Sequence, residues 1–475
     1  MEIASPSRTR TGLSARFWTR YEWATLLLCA ALLAVQLFVP PSLGVADNND
    51  FPKLIGRYCL SDAGEHPLFD YVSFTYRRAP SACWDSGLLT SAVLPLDVAL
   101  LSRTLLTPGR FDLRFLGTVY ALMFLAAFYG FQLLIRPLRP ATRLLIPLVA
   151  IFLLAGGTYA PWFNSFYFDT ASYVGLLLCA VAMCRLVFNP AVSVWEYLLA
   201  AGLVVFFAMS KSQHAPLALF MLPCFWLSFR RTRFPARPLR WVVTVLIAGG
   251  VAVMFGTVPR GYTTTSSYNA LFYQALPRSS HPADDLRDLS LDASLQRYVG
   301  KHAFLPDSPI QTPAQLEAFA AILSPSKLAS YFLSHPRTAF RVLAYALSEG
   351  SLQRVRMEIG PRQYRLGNYE RSSGHPPESQ TAFLTQWSDW KAAVFGNHPR
   401  RFAAYAVVLF AALWILAWRR RDPGRPRVVL VVAILTVMTG TALLVVLFDG
   451  VDTGRHLFLF NALLDMAFCA VVALV

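Results

Sequence analysis

The amino-acid sequence predicts an all-α polytopic membrane protein with about ten transmembrane helices, outer juxtamembrane helices and a helical extracytoplasmic segment. Of its 475 residues, 55% are hydrophobic and 15% are charged, whereas soluble domains carry about 25% charged residues. The runs Phe115–Ile135 and Val428–Phe448 contain no Asp, Glu, Lys or Arg, and about 20 apolar residues span a bilayer as a helix. The arginines cluster between such runs, which is typical of loops that flank membrane helices.

The first apolar run defines the start of the membrane domain. It covers residues 24–39, follows four arginines in the first 20 residues and ends at Pro40-Pro41 without a small-residue cleavage pattern. We therefore expect a first membrane helix with its N-terminus inside the cell rather than a cleaved signal peptide. The ten apolar runs are 24–39, 115–135, 144–161, 171–188, 192–209, 215–229, 241–257, 402–418, 428–448 and 457–475.

The distribution of arginine orients these runs. With ten spans, the loops predicted to be cytoplasmic hold Arg136, Arg139, Arg143 and Arg185, and the Arg clusters within 230–240 and 419–427. The short outer loops 161–170, 210–214 and 449–456 hold only Lys211 and Arg455, as the positive-inside rule requires.

An eleventh apolar stretch, residues 88–106, is interrupted by Pro95, Asp97 and Arg103. If it crossed the membrane, every later loop would invert and the densest Arg clusters would lie outside. We therefore predict an outer juxtamembrane or re-entrant helix that does not cross the bilayer.

This topology divides the chain into three parts. Residues 1–257 form an N-terminal transmembrane module with a first outer loop at 44–114, residues 258–400 form an extracytoplasmic helical segment, and residues 401–475 form C-terminal transmembrane helices. Within the segment, helix-like patterns cover 284–298, 313–323 and 326–348.

The net charge of +16 would also suit a nucleic-acid-binding protein. The arginines lie between hydrophobic runs rather than along a soluble face, so we interpret them as topology signals and expect no nucleic-acid partner.

Cys59 and Cys83 share the first outer loop, while the other five cysteines fall in predicted spans. An oxidising outer compartment favours a disulfide between them, and two unrelated thiols are the alternative. No Cys/His spacing in the sequence predicts a zinc site.

Four polar clusters lie where predicted outer loops meet the membrane. Singly, each has the composition of a loop that caps a helix. Together they supply cations that could bind a phosphate and carboxylates that could accept a proton. The clusters are Asp47–Lys53, Asn164–Asp169, Ser210–His214 and Asp449–His456.

Asp465 lies in the middle of the last apolar run. An acid within the membrane is costly and is a functional candidate. The alternative is a buried hydrogen bond to a hydroxyl or amide on a neighbouring helix.

This layout resembles the GT-C superfamily of membrane glycosyltransferases, in particular bacterial glycan-biosynthesis hexose transferases that use polyprenyl-phosphate sugars. The resemblance rests on Asn49-Asp50 after the first span, the juxtamembrane stretch 88–106, Tyr167-Phe168-Asp169, Lys211–His214 and Arg455-His456. Similar short motifs occur in the outer segment at 268–272, 286–289 and 332–336.

The resemblance implies that the protein moves a sugar, with inversion, from a polyprenyl-phosphate donor to a glycan or lipid acceptor at the outer face of the cell (inner) membrane. Asp50 would be the catalytic base. Lys211, His214, Arg455 and His456 would bind the donor phosphate, and Asn49, Asp169 and Gln213 would orient the acceptor or the site cations. Because the acid pair usual in that superfamily is Asn49-Asp50 here, we expect no cofactor; a divalent cation is the alternative that stays open.

Two rival functions fit the same outline. A transporter or flippase for lipid-linked glycans would explain the spans and Asp465, but it leaves the large outer segment without a role. A polymerase or ligase that joins preassembled glycans also needs cations at the outer face. It differs from the proposed hexose transferase in the size of its donor.

Overall fold

A computed structural model describes residues 20–62, 68–106, 109–189, 191–228, 236–350, 356–359 and 362–474. Arg8, Arg10 and Arg16 of the predicted topology, and Arg230, Arg231 and Arg233, lie outside these residues. The helices in chain order are α1 (Arg20–Phe38), α2 (Pro52–Ile55), α3 (Val93–Leu106), α4 (Arg114–Ile135), α5 (Pro140–Leu154), α6 (Phe168–Phe188), α7 (Val194–Ala208), α8 (Leu222–Ser228), α9 (Ala236–Thr257), α10 (Arg260–Tyr268), α11 (Pro282–Asp288), α12 (Pro313–Ile322), α13 (Pro325–Ser334), α14 (Pro336–Gly350), α15 (Gln386–Phe395), α16 (Pro399–Arg419), α17 (Arg425–Leu444), α18 (Thr453–His456) and α19 (Phe458–Leu474).

Ten apolar helices of this structure coincide with the ten predicted runs. Within the described ranges, six of them are long and apolar enough to cross a membrane: α1, α4, α6, α9, α16, and α17 with its 3₁₀ extension to Phe448. Shorter apolar helices cover the other four runs, at Pro140–Leu154, Val194–Ala208, Ala215–Ser228 and Phe458–Leu474. The protein is therefore an all-α polytopic membrane protein, as predicted.

Polar contacts between segments far apart in the sequence distinguish two ends of the bundle. At the end we call upper, the Asn164 side-chain amide donates to the carbonyls of Leu37 and Leu43 at 3.1 and 2.8 Å. At the lower end, the buried carboxylate of Glu22 accepts from Arg136 at 3.1 Å and from Arg143 at 2.6 Å. The chain after α1 and the predicted outer loop 161–170 thus meet at the upper end, and Arg136 and Arg143 of a predicted cytoplasmic loop meet α1 at the lower end.

The stretch 88–106 does not cross the bundle. The Thr90 hydroxyl before α3 donates to the carbonyl of Ser210 at 3.0 Å, which fixes the start of α3 at the upper end. After α3, strand β3 (Arg110–Asp112) pairs with β2 (Thr75–Arg78) of the same outer loop. Both ends of α3 thus connect to the upper end of the bundle, in agreement with the predicted helix that does not cross.

The first outer loop also contains a small sheet that the sequence did not predict. Strand β1 (Leu60–Asp62) pairs antiparallel with β2, with Leu60 opposite Arg78, and β2 pairs with β3, with Tyr76 opposite Phe111. Cys59 and Cys83, just outside this hairpin, form the predicted disulfide.

The helical segment of 258–400 has an apolar core of its own around Leu271, Phe272 and Leu328. The predicted stretch 326–348 is two helices, α13 and α14, because Pro336 begins a new helix at its first position. In this stretch Tyr331 and Phe332 are buried in that core, while Phe340 is exposed. A second hairpin pairs β4 (Arg356–Ile359) with β5 (Arg362–Arg365).

Asp465 joins the outer segment to the last membrane helix. Its carboxylate accepts from the Tyr159 hydroxyl at 2.7 Å, the Trp387 indole at 2.8 Å and the Lys391 ammonium at 2.9 Å. Lys391 and Asp465 are both fully buried. This arrangement matches the alternative interpretation of Asp465, a buried residue that hydrogen-bonds to its neighbours. Its contacts with Trp387 and Lys391 hold α15 against α19.

Candidate functional site

A cavity of about 540 Å³ opens at the upper end of the bundle. It is enclosed by the first outer loop, the α5–α6 and α7–α8 connections, α10, and the chain between α17 and α19. Six of the eight residues selected from the sequence line it: Asp50, Asp169, Lys211, Gln213, Arg455 and His456.

The position of Asp50 is set by residues 46–51, the short segment before α2, which we call the strap. The Asp47 carboxylate accepts from the backbone N–H groups of Asp50 at 2.9 Å and Phe51 at 3.1 Å, which is the ordinary way an Asp stabilises a turn. The buried ring of Phe51 packs edge-on against Tyr167, whose hydroxyl donates to the carbonyl of Ala46 at 2.9 Å. The strap therefore holds Asp50 at the cavity wall.

The Asp50 carboxylate forms ion pairs with Lys53 and with Arg455. Burial acts to raise its pKa, but the guanidinium of Arg455 and the ammonium of Lys53 outweigh burial and hold the pKa well below its usual value. Asp50 is therefore ionised at every physiological pH, and it becomes a stronger base only if these cations are drawn away.

Arg455 connects two acids from distant parts of the chain. Its guanidinium faces Asp50 on one side, and on the other its Nε lies 2.7 Å from Asp452 Oδ2. Burial raises the pKa of Asp452 to about 6, and the nearby carboxylates of Asp50 and Asp169 add to this against the opposing effect of Arg455 and His456. Asp452 has a left-handed backbone with φ of 62°, a conformation that non-glycine residues rarely adopt. The sequence selected Arg455 but not Asp452.

Two further polar contacts organise the cavity floor. Lys211 donates to Asp169 at 2.8 Å, with Asp169 in the first turn of α6. The Gln213 amide nitrogen donates to Asp449 at 2.8 Å, and its oxygen lies 3.0 Å from His456 Nδ1.

His456 Nε2 lies 3.1 Å from Asp449, so both ring nitrogens of His456 face acceptors. These contacts hold the His456 ring between Gln213 and Asp449 at the cavity wall, and its phosphate-binding role stays a prediction.

Gly450 allows the loop that carries Asp449 to approach the outer segment. A Cβ at this position would lie 2.2 Å from the carbonyl oxygen of Asn269, so any larger residue would push the loop away. The contact brings Asp449 beside α10, where the Ser266 hydroxyl lies 3.4 Å from its carboxylate.

Two predicted site residues do not line the cavity. His214 is only 1% exposed, and neither ring nitrogen has a hydrogen-bond partner among the described residues. Burial, and then the charge of Lys211, lower its pKa to about 3, so it is neutral. His214 therefore lies behind the cavity wall rather than on it, and its phosphate-binding role stays a prediction. Asn49 is exposed with φ of 77°, so its place is in the turn rather than at the cavity wall.

Sequence reasoning missed Lys53, Asp449 and Asp452 as site residues, although each lies in a polar cluster that it had identified. Lys53 and Asp449 line the cavity. Their closeness in sequence to Asp50 and Arg455 could have identified them as candidates. Only the fold shows which cation pairs with which acid. In the described part of the chain, no group of three His, Cys, Asp or Glu side chains is arranged to hold a metal ion.

The wall opposite the charges is apolar. It is built by residues at the ends of α9 and α17, namely Phe255, Val258, Leu444, Val445 and Phe448. Phe255 and Leu444 are about half exposed and lie at the ends of two apolar helices that are long enough to cross a membrane. The cavity thus combines charged and apolar lining residues.

The fold and the cavity define a polytopic membrane protein with a pocket at one end of its helix bundle that is lined by both charged and apolar residues. The chain belongs to the family of the YfdI N-terminal transmembrane domain, whose model matches residues 15–475. No curated protein matches the sequence.

One solved structure that resembles the chain is the oligosaccharyltransferase AglB from Archaeoglobus fulgidus, determined in complex with an inhibitory peptide and a dolichol-phosphate. The TM-score is 0.40 at 10% identity, and the match covers 95% of this chain and 50% of that one. The chain thus spans about half the length of that protein.

Proposed function

We propose that the protein is a GT-C-type glycosyltransferase that moves a sugar from a polyprenyl-phosphate donor to a glycan or lipid acceptor at the extracytoplasmic face of the cell membrane. The observation that carries this proposal is the amphipathic cavity. A donor of this class joins an anionic phosphate, a neutral sugar and an apolar chain, and the cavity presents a surface suited to each.

The charged wall suits the phosphate. Lys53, Lys211 and Arg455 are basic residues, and each lines the cavity. In the structure they pair with carboxylates, so a phosphate has to compete for them. Arg455 is the best placed, because its planar guanidinium can hold two phosphate oxygens at once.

Donor binding would also activate Asp50. When the phosphate draws Arg455 and Lys53 toward itself, the Asp50 carboxylate loses the charges that hold its pKa down. Asp50 would then accept the proton of the acceptor hydroxyl as that oxygen attacks the anomeric carbon.

The bond changes balance within this site. The acceptor oxygen forms a bond to the anomeric carbon, and the bond from that carbon to the phosphate oxygen breaks. The leaving phosphate keeps the electron pair, which the cations stabilise, and Asp50 takes the proton. A single displacement of this kind inverts the configuration of the sugar.

The test is a transfer assay on purified protein in liposomes. The donors are polyprenyl phosphates that each carry one radiolabelled hexose, and the acceptor is a lipid and glycan extract of the source membranes. We expect label in the acceptor fraction and an equal amount of free polyprenyl phosphate.

The alternatives give different outcomes in this assay. A flippase would move the labelled donor across the bilayer without consuming it. A polymerase or ligase would ignore single-sugar donors and consume carriers with preassembled glycans. Either outcome would contradict the proposed function.

A further inference from the structure

Helix α10 has an unusual composition. Residues 262–268 read Tyr-Thr-Thr-Thr-Ser-Ser-Tyr, so seven consecutive side chains carry a hydroxyl. Ser and Thr are weak helix formers, because their hydroxyls compete for the backbone and Thr loses rotamer freedom. The chain is nevertheless helical from Arg260 to Tyr268, so packing rather than intrinsic propensity stabilises this helix.

One face of α10 borders the cavity. Tyr262, Thr263, Ser266 and Ser267 line it, and their spacing places them on one side of a helix. Thr264 and Thr265 of the same helix do not line the cavity. The hydroxyls of Thr263 and Thr264 donate to the carbonyls of Pro259 and Arg260 at 3.3 and 2.9 Å, so Thr263 offers a ligand chiefly an acceptor oxygen. The hydroxyls at the cavity therefore form a neutral polar wall distinct from the charged wall.

The Tyr262 hydroxyl is the most informative of these groups. Its oxygen is buried and has no hydrogen-bond partner among the described residues. An unpaired buried hydroxyl costs free energy, which a bound ligand with hydroxyl groups would recover. Burial, and then the carboxylate of Asp50, raise the pKa of Tyr262 well above its usual value, so the phenol keeps its proton and can donate.

The neutral wall touches both halves of the charged wall. The ammonium of Lys53, the partner of Asp50, lies 4.7 Å from the centre of the Tyr262 ring. The Ser266 hydroxyl lies 3.4 Å from Asp449, the partner of His456. A group held by α10 is thus placed beside the cations assigned to the phosphate.

We propose that Tyr262, Thr263 and Ser266 form the subsite for the sugar ring of the donor. The inference rests on the proposed function and names the part of the site that recognises the sugar. A sugar ring carries several neutral hydroxyls, and side-chain hydroxyls match them because each can both donate and accept. If one of these side-chain hydroxyls is removed, binding of a ligand that hydrogen-bonds to it becomes weaker, whereas binding of a ligand without that group does not change.

The experiment compares the affinity of purified protein for two probes: polyprenyl phosphate that carries one hexose, and sugar-free polyprenyl phosphate. The variants are Tyr262→Phe, Thr263→Val and Ser266→Ala, each of which removes one hydroxyl with little change in shape. Thr265→Val is the matched control, since Thr265 lies on the same helix but does not line the cavity.

Each of the three variants should bind the glycosylated probe roughly 2- to 12-fold more weakly, the range for one net hydrogen bond. Binding of the sugar-free probe should stay at the wild-type level, and Thr265→Val should match wild type with both probes. The subsite would be overturned if the three variants bound both probes equally more weakly, or if they bound both probes as tightly as wild type.

The proposed function fails in a recognisably different way. If it is wrong, wild-type protein transfers no label in the liposome assay, whether or not it binds the probes. If only the subsite is wrong, wild-type protein binds both probes and the three hydroxyl variants show no loss specific to the sugar.

Discussion

Asp50 and Arg455 lie 405 residues apart in the chain and form an ion pair at the wall of the cavity. The contact joins the loop after the first membrane helix to the loop before the last one. Because Arg455 also lies beside Asp452, a single guanidinium balances two acids. Release of this pairing by a donor phosphate is the central step of the proposed mechanism.

Replacing Asp50 with Asn should abolish most transfer activity. The amide keeps the size and polarity of the side chain but cannot accept the proton, so the rate should fall by about 10²- to 10⁴-fold. Transfer by purified variant and wild-type protein, at equal amounts in the membrane, is the measurement. The exposed Asp307 supplies the control, and Asp307→Asn should behave like wild type. Activity of Asp50→Asn within a few-fold of wild type would remove Asp50 from the mechanism.

Replacing Arg455 should weaken use of the donor far more than use of the acceptor. A second role for an Arg at this place is to extend toward lipid headgroups, but Arg455 is 8% exposed and paired with two acids. Arg455→Ala should raise the donor KM at least about tenfold, the cost of one hydrogen bond to a charged group.

Arg455→Lys provides the matched comparison, because it keeps the charge but loses the planar fork. It should fall between Arg455→Ala and wild type. A donor KM that is unchanged in both variants would contradict the phosphate role.

His214 should make the fold sensitive to acid. Its pKa is lowered from 6.5 to about 3 in the fold, so below pH 6.5 the unfolded chain binds a proton that the folded protein does not. The free energy of unfolding is therefore unaffected by His214 above pH 6.5. It falls by about 1.4 kcal/mol per pH unit as the pH drops from 6.5 toward 3.

The His214 effect is measured by thermal unfolding in detergent at pH 7.5 and pH 5. The apparent Tm of wild type should drop more than that of His214→Gln over this interval. His281 is exposed, and His281→Gln should keep the wild-type drop. An equal drop in His214→Gln and wild type would show that His214 is not the acid-sensitive group.

The buried pair of Lys391 and Asp465 should behave as a structural link. Lys391→Met leaves the Asp465 charge uncompensated among apolar helices, and breaking a buried pair in this way costs about 3–5 kcal/mol. Adding Asp465→Asn removes that charge and should recover most of the lost stability. Apparent melting temperatures of both variants test this, and no recovery in the double variant would contradict the link.

The topology predicts opposite exposure of two positions. In a cysteine-depleted background, a cysteine at Ser280 should react with a membrane-impermeant thiol reagent in intact cells, and one at Arg425 should react only after the cells are opened. The reason is the arginine asymmetry of the loops. Labelling of position 425 in intact cells would invert the topology.

The sequence determined the features that depend on local composition. Runs such as Phe115–Ile135 are apolar over a length that only a membrane helix satisfies, so the ten apolar helices could be located from residue order alone. The arginine distribution predicted which loops share a side of the membrane, and this assignment stays a prediction. The interrupted stretch 88–106 was recognised as a helix that does not cross. The cation and acid candidates followed from the same loops.

Only the tertiary structure decided which of these groups meet. The pairing of Asp50 with Arg455, the withdrawal of His214 from the cavity and the partners of Asp465 depend on contacts between residues far apart in sequence. The seven hydroxyl side chains of 262–268 became candidates for ligand binding only because the fold places one face of α10 at the cavity. Hydropathy is a property of each segment, whereas ion pairing and burial depend on how segments pack, and that packing is not written in any local pattern.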